Sequence, residues 1–328
     1  MVKIIIRFGY VAMSMYVADA SPSKTMTVTN FEKLMDRQAA IRKLERLALE
    51  NLHNTLRILR HNRAHDIKVY RFSSKLIPLI GHELLEGWNP IMDTLASPFA
   101  EIGKYVREHN MRTSFHPDHF TVLSTPRESV LRTSIEDLNR HVQMQEAMGL
   151  DEHAKCNIHI GGSYGDKGTS LLRFLDQFEQ LEEKIKCRIT LENDDKTYTA
   201  AETLLVCETL KIPMVLDIHH HQLNHSGEPL AELWSRIADT WILTELPPKI
   251  HVSSPKSVRD PKAHADYIEM EDFMSFIRLI AAQTPFLDVM LEAKMKDAAL
   301  LKLMADLLPL PEVKQVDQAA IEISLLGD

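Results

Sequence analysis

The strongest constraint on the fold is an alternation. Eight short apolar runs recur along the 328 residues: "KIIIRFG" (3–9), "IKVYRFSS" (67–74), "MRTSFHP" (111–117) and "KCNIHIGG" (155–162), then "CRITLEND" (187–194), "PMVLDIHH" (213–220), "KIHVSSP" (249–255) and "LDVMLEAK" (287–294). Each has the length and the branched apolar content of a strand buried on both faces. Longer segments with apolar residues three and four apart fill the gaps, at about 31–62, 93–109, 128–148, 168–185, 199–210, 229–239, 270–282 and 296–307. That spacing is the signature of amphipathic helices. Eight strand–helix pairs in strict order predict an α/β fold, a single (β/α)8 TIM barrel with its active site at the C-terminal ends of the strands. A doubly wound open sheet is the rival, but the glycine-rich first turn common in such folds is absent. The barrel is expected to occupy residues 1–308, and 309–328 to form a C-terminal extension.

Composition is that of an ordinary soluble protein, 45% hydrophobic and 26% charged. The formal net charge of −8 does not advertise a nucleic-acid binder. Bound cations would change that balance: three divalent ions add +6 and leave −2 by the same count. Basic residues cluster locally at Arg57, Arg60, Arg63, Lys68, Arg71 and Lys75, and again at Lys249, Lys256, Arg259 and Lys262; each cluster taken alone reads as a solvated face. Three cysteines without a Cys-x-x-Cys pair suggest reduced thiols and a cytoplasmic protein, with Cys156 and Cys187 expected in the core. Arg7 interrupts the apolar amino terminus too early for a signal peptide, and no run reaches the roughly 20 apolar residues of a membrane helix.

In a barrel, chemistry gathers where strands end. The third run ends with His116, the fourth carries His159, and the fifth ends with Glu192. The sixth gives Asp217 and His220, the seventh Lys249 and His251 on one face, and the eighth Glu292; His264 follows the seventh. A lone histidine at a strand end is more often structural than a ligand. Six consecutive strands each contributing His, Asp or Glu are another matter, because burying so many polar groups together without cations is costly. Imidazoles and carboxylates without thiolates suit Zn, Mn or Fe. The set is large enough for two or three ions, an arrangement used on phosphate esters. In "LDIHHHQLNH", His219, His221 and His225 are expected to be loop residues or supports for the ligands.

These residues resemble the ultraviolet damage endonucleases, a family related to endonuclease IV. The resemblance runs through "RFGYVAMSM", "YRFSSKLIPLIGH", "FHPDHF", "NIHIGG", "LENDD", "LDIHHH", "KIHVSS" and "MLEAKMKDAAL", in order and with fitting spacings. It implies three divalent ions, most often Mn2+, with Zn2+ or Co2+ as alternatives, and no nucleotide cofactor. His116, His159 and Glu192 would hold one ion. Glu192, Asp217, His251 and Glu292 would hold a second, with Glu192 bridging, and His220 and His264 a third. Glu192, His82 and Lys249 would take part in catalysis, Lys249 matching a lysine that is carboxylated in members of the family; unmodified, it would be a plain ammonium contacting phosphate. The substrate would be double-stranded DNA carrying UV lesions, nicked immediately 5′ to a cyclobutane dimer or 6-4 photoproduct to leave a 3′ hydroxyl and a 5′ phosphate. The enzyme would be a cytoplasmic monomer with no membrane partner.

The family often has Gln-Tyr just after the third-strand histidine, as probes that fill the gap left by an extruded lesion. Here His119 and Phe120 stand there. Phe120 keeps a stacking surface without the phenol hydroxyl, and His119 keeps hydrogen-bonding capacity. Tyr10 and Lys256 are further expected DNA contacts, with a core role for Tyr10 as the alternative. Two rival functions remain at this point: a sugar isomerase or epimerase of the same barrel superfamily, or a damage-binding protein without catalysis.

Overall fold

The computed structural model describes residues 2–325. Its strands, in chain order, are β1 (Val2–Val11), β2 (Val69–Arg71), β3 (Arg112–Phe115), β4 (Lys155–His159), β5 (Ile189–Glu192), β6 (Met214–Asp217), β7 (Lys249–Val252), β8 (Pro255–Ser257), β9 (Asp260–His264), β10 (Phe286–Leu291), β11 (Val313–Asp317) and β12 (Ala320–Leu325). The parallel neighbours run β1-β2-β3-β4-β5-β6-β7-β10, and β10 pairs back onto β1, which closes the barrel. The eight expected strands are its eight staves. The expected helices lie between them, from Arg37–Ala64 to Lys296–Leu307.

Local chemistry starts these helices where the pattern predicts. Asp36 caps Arg37–Ala64 by accepting from the Gln38 and Ala39 amides. Thr199 and Glu202 form a reciprocal capping box at the head of Ala200–Leu210. Gly9 lets β2 close on β1: a Cβ there would stand 2.1 Å from the Val69 carbonyl oxygen.

Three features depart from the expectation. The segment after 308 is built into the barrel wall. β12 runs antiparallel along the lower half of β1, from Val2↔Leu325 to Arg7↔Ala320, on the edge that β2 takes over from Gly9 upward. Ala319, Ala320, Ile321 and Ile323 are buried by it. The second departure is the β8–β9 hairpin between β7 and the helix Met270–Ile280, which no apolar pattern announces. Cys187 also differs from expectation: it caps the short helix Glu183–Lys186 and is exposed, whereas Cys156 and Cys207 are buried.

The barrel interior is ionic at two levels. On the lower level Asp288 accepts from Arg7 Nε at 2.7 Å, Arg7 Nη2 at 2.8 Å and Arg112 Nη1 at 2.6 Å. On the upper level the strand register sets His159 beside Glu192 and Asp217 beside His251, with Arg71 beside Val11. Period-two alternation along each strand puts both levels inside and the apolar residues outward, against the helices. Among the described residues no helix is long and apolar enough to cross a membrane.

Candidate metal centre

The upper level ends the strands and forms the candidate site. One ligand atom from each of His116, His159 and Glu192 lies within 4.8 Å of the others, and the same holds for Glu192, Asp217 and His220. Glu192 thus belongs to both groups. His251 Nδ1 approaches Glu192 Oε2 at 3.0 Å and Glu292 Oε1 at 3.2 Å. Despite those distances, the buried nitrogen has no aligned hydrogen-bond partner, and neither has Asp217 Oδ2. Nitrogen and oxygen atoms converge there on shared points, which is how ligands stand around a cation.

Histidine orientation gives a sharper test. His116 Nδ1 faces the Pro117 carbonyl at 3.0 Å, His159 Nδ1 that of Glu192 at 3.2 Å, His220 Nδ1 that of Asn193 at 3.0 Å, and His264 Nδ1 that of Glu292 at 2.8 Å. A carbonyl oxygen only accepts, so in the neutral ring each Nδ1 carries the proton and Nε2 is the atom that can offer a lone pair; in the ion-free cluster His116 Nε2 meets Glu192 Oε2 at 3.2 Å instead. This is the tautomer and the support that metal-binding histidines need. The donor set therefore fits divalent ions.

Electrostatics without ions shows what the cluster must balance. Burial pushes Asp217 up to about 7, reinforced by Glu192 and Glu292. Burial would also raise Glu192, but His251 and His159 hold it well below the usual carboxylate range. Burial opposes the charged form of His220, yet Asp217 and Glu192 lift it to about 9. A cation would relieve the strained Asp217 carboxylate and replace the histidine charge beside Glu192.

Supporting residues hold the ligands. Asn157 donates to Glu192 Oε2. Asn193 brackets the Asp217 backbone, donating to its carbonyl at 3.0 Å and accepting from its amide at 2.9 Å. Arg71 pairs with Glu292, and both are largely buried. Arg71 read as part of a solvated basic face in the sequence; its place at the end of β2, inside "YRFSS", was the signal that it faces the barrel mouth.

The remaining candidates separate. Lys249 lies one pleat below His251, 4% exposed, with Nζ donating to Ser114 Oγ at 3.2 Å. Burial, with Arg112 and Arg71 nearby, drives its pKa well below that of an ordinary lysine. His82 caps a short turn, Nδ1 accepting from the Leu84 amide at 3.2 Å, and no bond joins it to the cluster among the described residues. Tyr10 corrects the expectation of a DNA contact. It is fully buried, packs edge-on against Tyr70, and donates its hydroxyl to Asn62 Oδ1 at 2.6 Å. Lys256 is exposed on the β8–β9 hairpin beside Asp260, at 3.6 Å. His119 and Phe120 stand exposed on the loop after β3, Phe120 at 73%.

A cavity of about 380 Å³ opens over Arg71, His116, His159, Glu192, His220 and Glu292. It adjoins a larger one of about 790 Å³ lined by Phe120, Arg127, Tyr164 and Lys196, and His119 borders both.

Comparison with known proteins decides the family. The family model described as UV-endonuclease UvdE matches residues 6–324. The chain belongs to the UV-endonuclease UvdE family. The UV DNA damage endonuclease of Halalkalibacterium halodurans is 45% identical over 320 residues, covering 97% of this chain and 99% of that one. That of Bacillus mycoides is 41% identical over 318 residues, covering 97% and 99%. The crystal structure of SacUVDE superposes with a TM-score of 0.81 at 31% identity, covering 92% and 98%. Endonuclease IV from Thermus thermophilus shares the fold, with a TM-score of 0.53 at 11% identity over 93% and 100% of the chains. As a UvdE family member the chain is an endonuclease, which sets aside the isomerase and binding-only readings.

Proposed function

We propose that this UvdE family member nicks double-stranded DNA immediately 5′ to UV photolesions, cyclobutane dimers and 6-4 photoproducts, leaving a 3′ hydroxyl and a 5′ phosphate. It acts as a cytoplasmic monomer with three divalent ions, Mn2+ by preference and Zn2+ or Co2+ as substitutes, and no nucleotide cofactor. The observation that carries this reading is the set of four histidines whose Nδ1 atoms face carbonyls, which turns Nε2 of each towards a cation, around shared carboxylates.

His116, His159 and Glu192 would hold one ion. Glu192, with Asp217, His251 and Glu292, would also serve a second. His220 and His264 would hold the third, and His220 lies within reach of Glu192 and Asp217. When bound, the ions supply Lewis acidity to an attacking water and to the attacked and departing phosphate oxygens. The chain does the rest. Arg71 and Asn157 orient Glu292 and Glu192, and Asn193 fixes Asp217. Lys249, its pKa driven down by burial, would be the group carboxylated beneath the second site. His119 and Phe120 enter the duplex and fill the space of the extruded lesion.

A duplex with one cyclobutane dimer, labelled at its 5′ end and incubated with Mn2+, tests this. One cut next to the lesion, extendable by a polymerase, is expected. An uncut duplex across Mn2+, Co2+ and Zn2+ removes the reading, and a cut that a polymerase cannot extend removes the stated products.

A further inference from the structure

His219 is buried and both of its ring nitrogens are engaged. Nδ1 lies 2.7 Å from Ser253 Oγ, and Nε2 lies 2.7 Å from the Pro261 carbonyl. The carbonyl can only accept, so Nε2 carries the proton and Nδ1 accepts from the serine hydroxyl. No lone pair is left, so this histidine cannot ligate a metal despite its neighbours.

Its partners lie on two different elements. His219 belongs to the helix Ile218–Leu223, next to His220, whereas Pro261 belongs to β9, three residues before His264. The His219 ring centroid is 6.5 Å from that of His220 and 5.7 Å from that of His264. The hairpin that delivers His264 is tied at its base, where the Ala265 amide donates to the Ser254 carbonyl at 2.8 Å and His264 Nδ1 to the Glu292 carbonyl at 2.8 Å, but its outer part is weakly held. A two-stranded ribbon is marginal in water, and Pro255–Lys262 is exposed. The Lys262–Asp195 pair at 2.9 Å is half-exposed and contributes little. The part-buried bond from His219 is therefore the contact that ties the Pro261 stretch of β9 to the helix carrying His220.

We propose that His219 is a positioning residue of the third ion site, clamping the β8–β9 hairpin so that His264 and His220 face one point. The proposal rests on the three-ion reading above. Its effect is specific to one ion, since the residues assigned to the other two sites do not ride on the hairpin.

The test counts Mn2+ ions. Free Mn2+ is followed by its electron paramagnetic resonance signal as it is titrated into wild type, H219N, H219Q and S253A. The amide of Asn replaces Nδ1 but falls short of Pro261, whereas that of Gln reaches the Nε2 position. Wild type is expected to take up three ions. H219N is expected to keep two at wild-type affinity and to weaken the third about tenfold or more. H219Q is expected to restore much of that loss. General loosening would instead lower the melting temperature and weaken all three ions, and that result overturns the clamp. So does H219N holding three ions like wild type. Should H219N not fold, S253A decides: it frees Nδ1, must weaken the same single ion, and overturns the proposal if uptake is unchanged. A wild type that binds only two ions instead overturns the three-ion reading beneath it.

Discussion

The ring of His119 lies 4.0 Å from that of Phe120, centroid to centroid, with the planes tilted by 39°. Three residues earlier, His116 turns inward and reaches Glu192 Oε2 at 3.2 Å. One short loop thus serves two tasks. Phe120→Ala is expected to weaken lesion binding by about 1–3 kcal/mol, the worth of one base stacked on an aromatic ring. Its kcat at saturating substrate should stay near wild type. His116→Ala should lose nicking on every lesion. Gel-shift titration alongside single-turnover cutting separates the two; equal kcat losses in both variants would place Phe120 in the chemistry.

Glu192 is shared by both ligand groups. Glu192→Gln keeps its shape but removes the charge. It is expected to abolish nicking, to lower Mn2+ uptake and to leave lesion binding measurable. Removing the ions from wild type with a chelator should mimic it, reversibly. Nicking retained by Glu192→Gln would take this residue out of the centre.

Arg71 balances Glu292 at the barrel mouth. Arg71→Met strands a buried carboxylate, which costs roughly 3–5 kcal/mol in the metal-free protein. Bound Mn2+ should restore much of that loss by supplying the missing charge. Chemical denaturation with and without Mn2+ reads the difference directly, and a loss unaffected by the metal would argue that Glu292 is not a ligand.

Asp288 sets an acid limit on the fold. Burial would raise its pKa, but Arg112 and Arg7 hold it below the ordinary carboxylate value. A depressed folded pKa means stabilisation that is complete above the unfolded value of about 3.9 and lost as pH falls through the folded one. Wild type should therefore lose stability below about pH 4. Asp288→Asn should be less stable near neutrality, with Arg7 and Arg112 unpaired, and should show a shallower acid slope. Denaturation midpoints across pH 2–7 measure both.

Tyr10 makes one buried hydrogen bond and no surface. Tyr10→Phe is expected to cost about 1 kcal/mol of stability and to leave nicking and lesion affinity unchanged. A selective loss of lesion affinity would return Tyr10 to the DNA interface.

The barrel could be read from the chain because its strands are buried on both faces, so "KIIIRFG" and "PMVLDIHH" stand out as unbroken apolar runs. The candidate cluster could be read because strand ends are the one place where His159, Glu192 and Asp217 could meet. The β8–β9 hairpin could not be read, since "PKSVRDPKAH" is polar, exposed and without alternation. Its fold depends on His219, Ser254 and Glu292 elsewhere. Tyr10 and Arg71 share a further difficulty. Both stand near the upper ends of barrel strands, and only the register decides that one points into packing and the other into the cavity.

The antiparallel zipper of β12 along Val2–Arg7 gives one wall two different seams. β10 closes the barrel on one edge of β1, while β12 covers the lower part of the other edge, below the point where β2 takes over at Gly9. Without β12 the lower backbone of β1 would stand unpaired, an edge ready to add strands from other chains. Removing residues 309–325 would thus leave every candidate ligand in place and still create an adhesive flank.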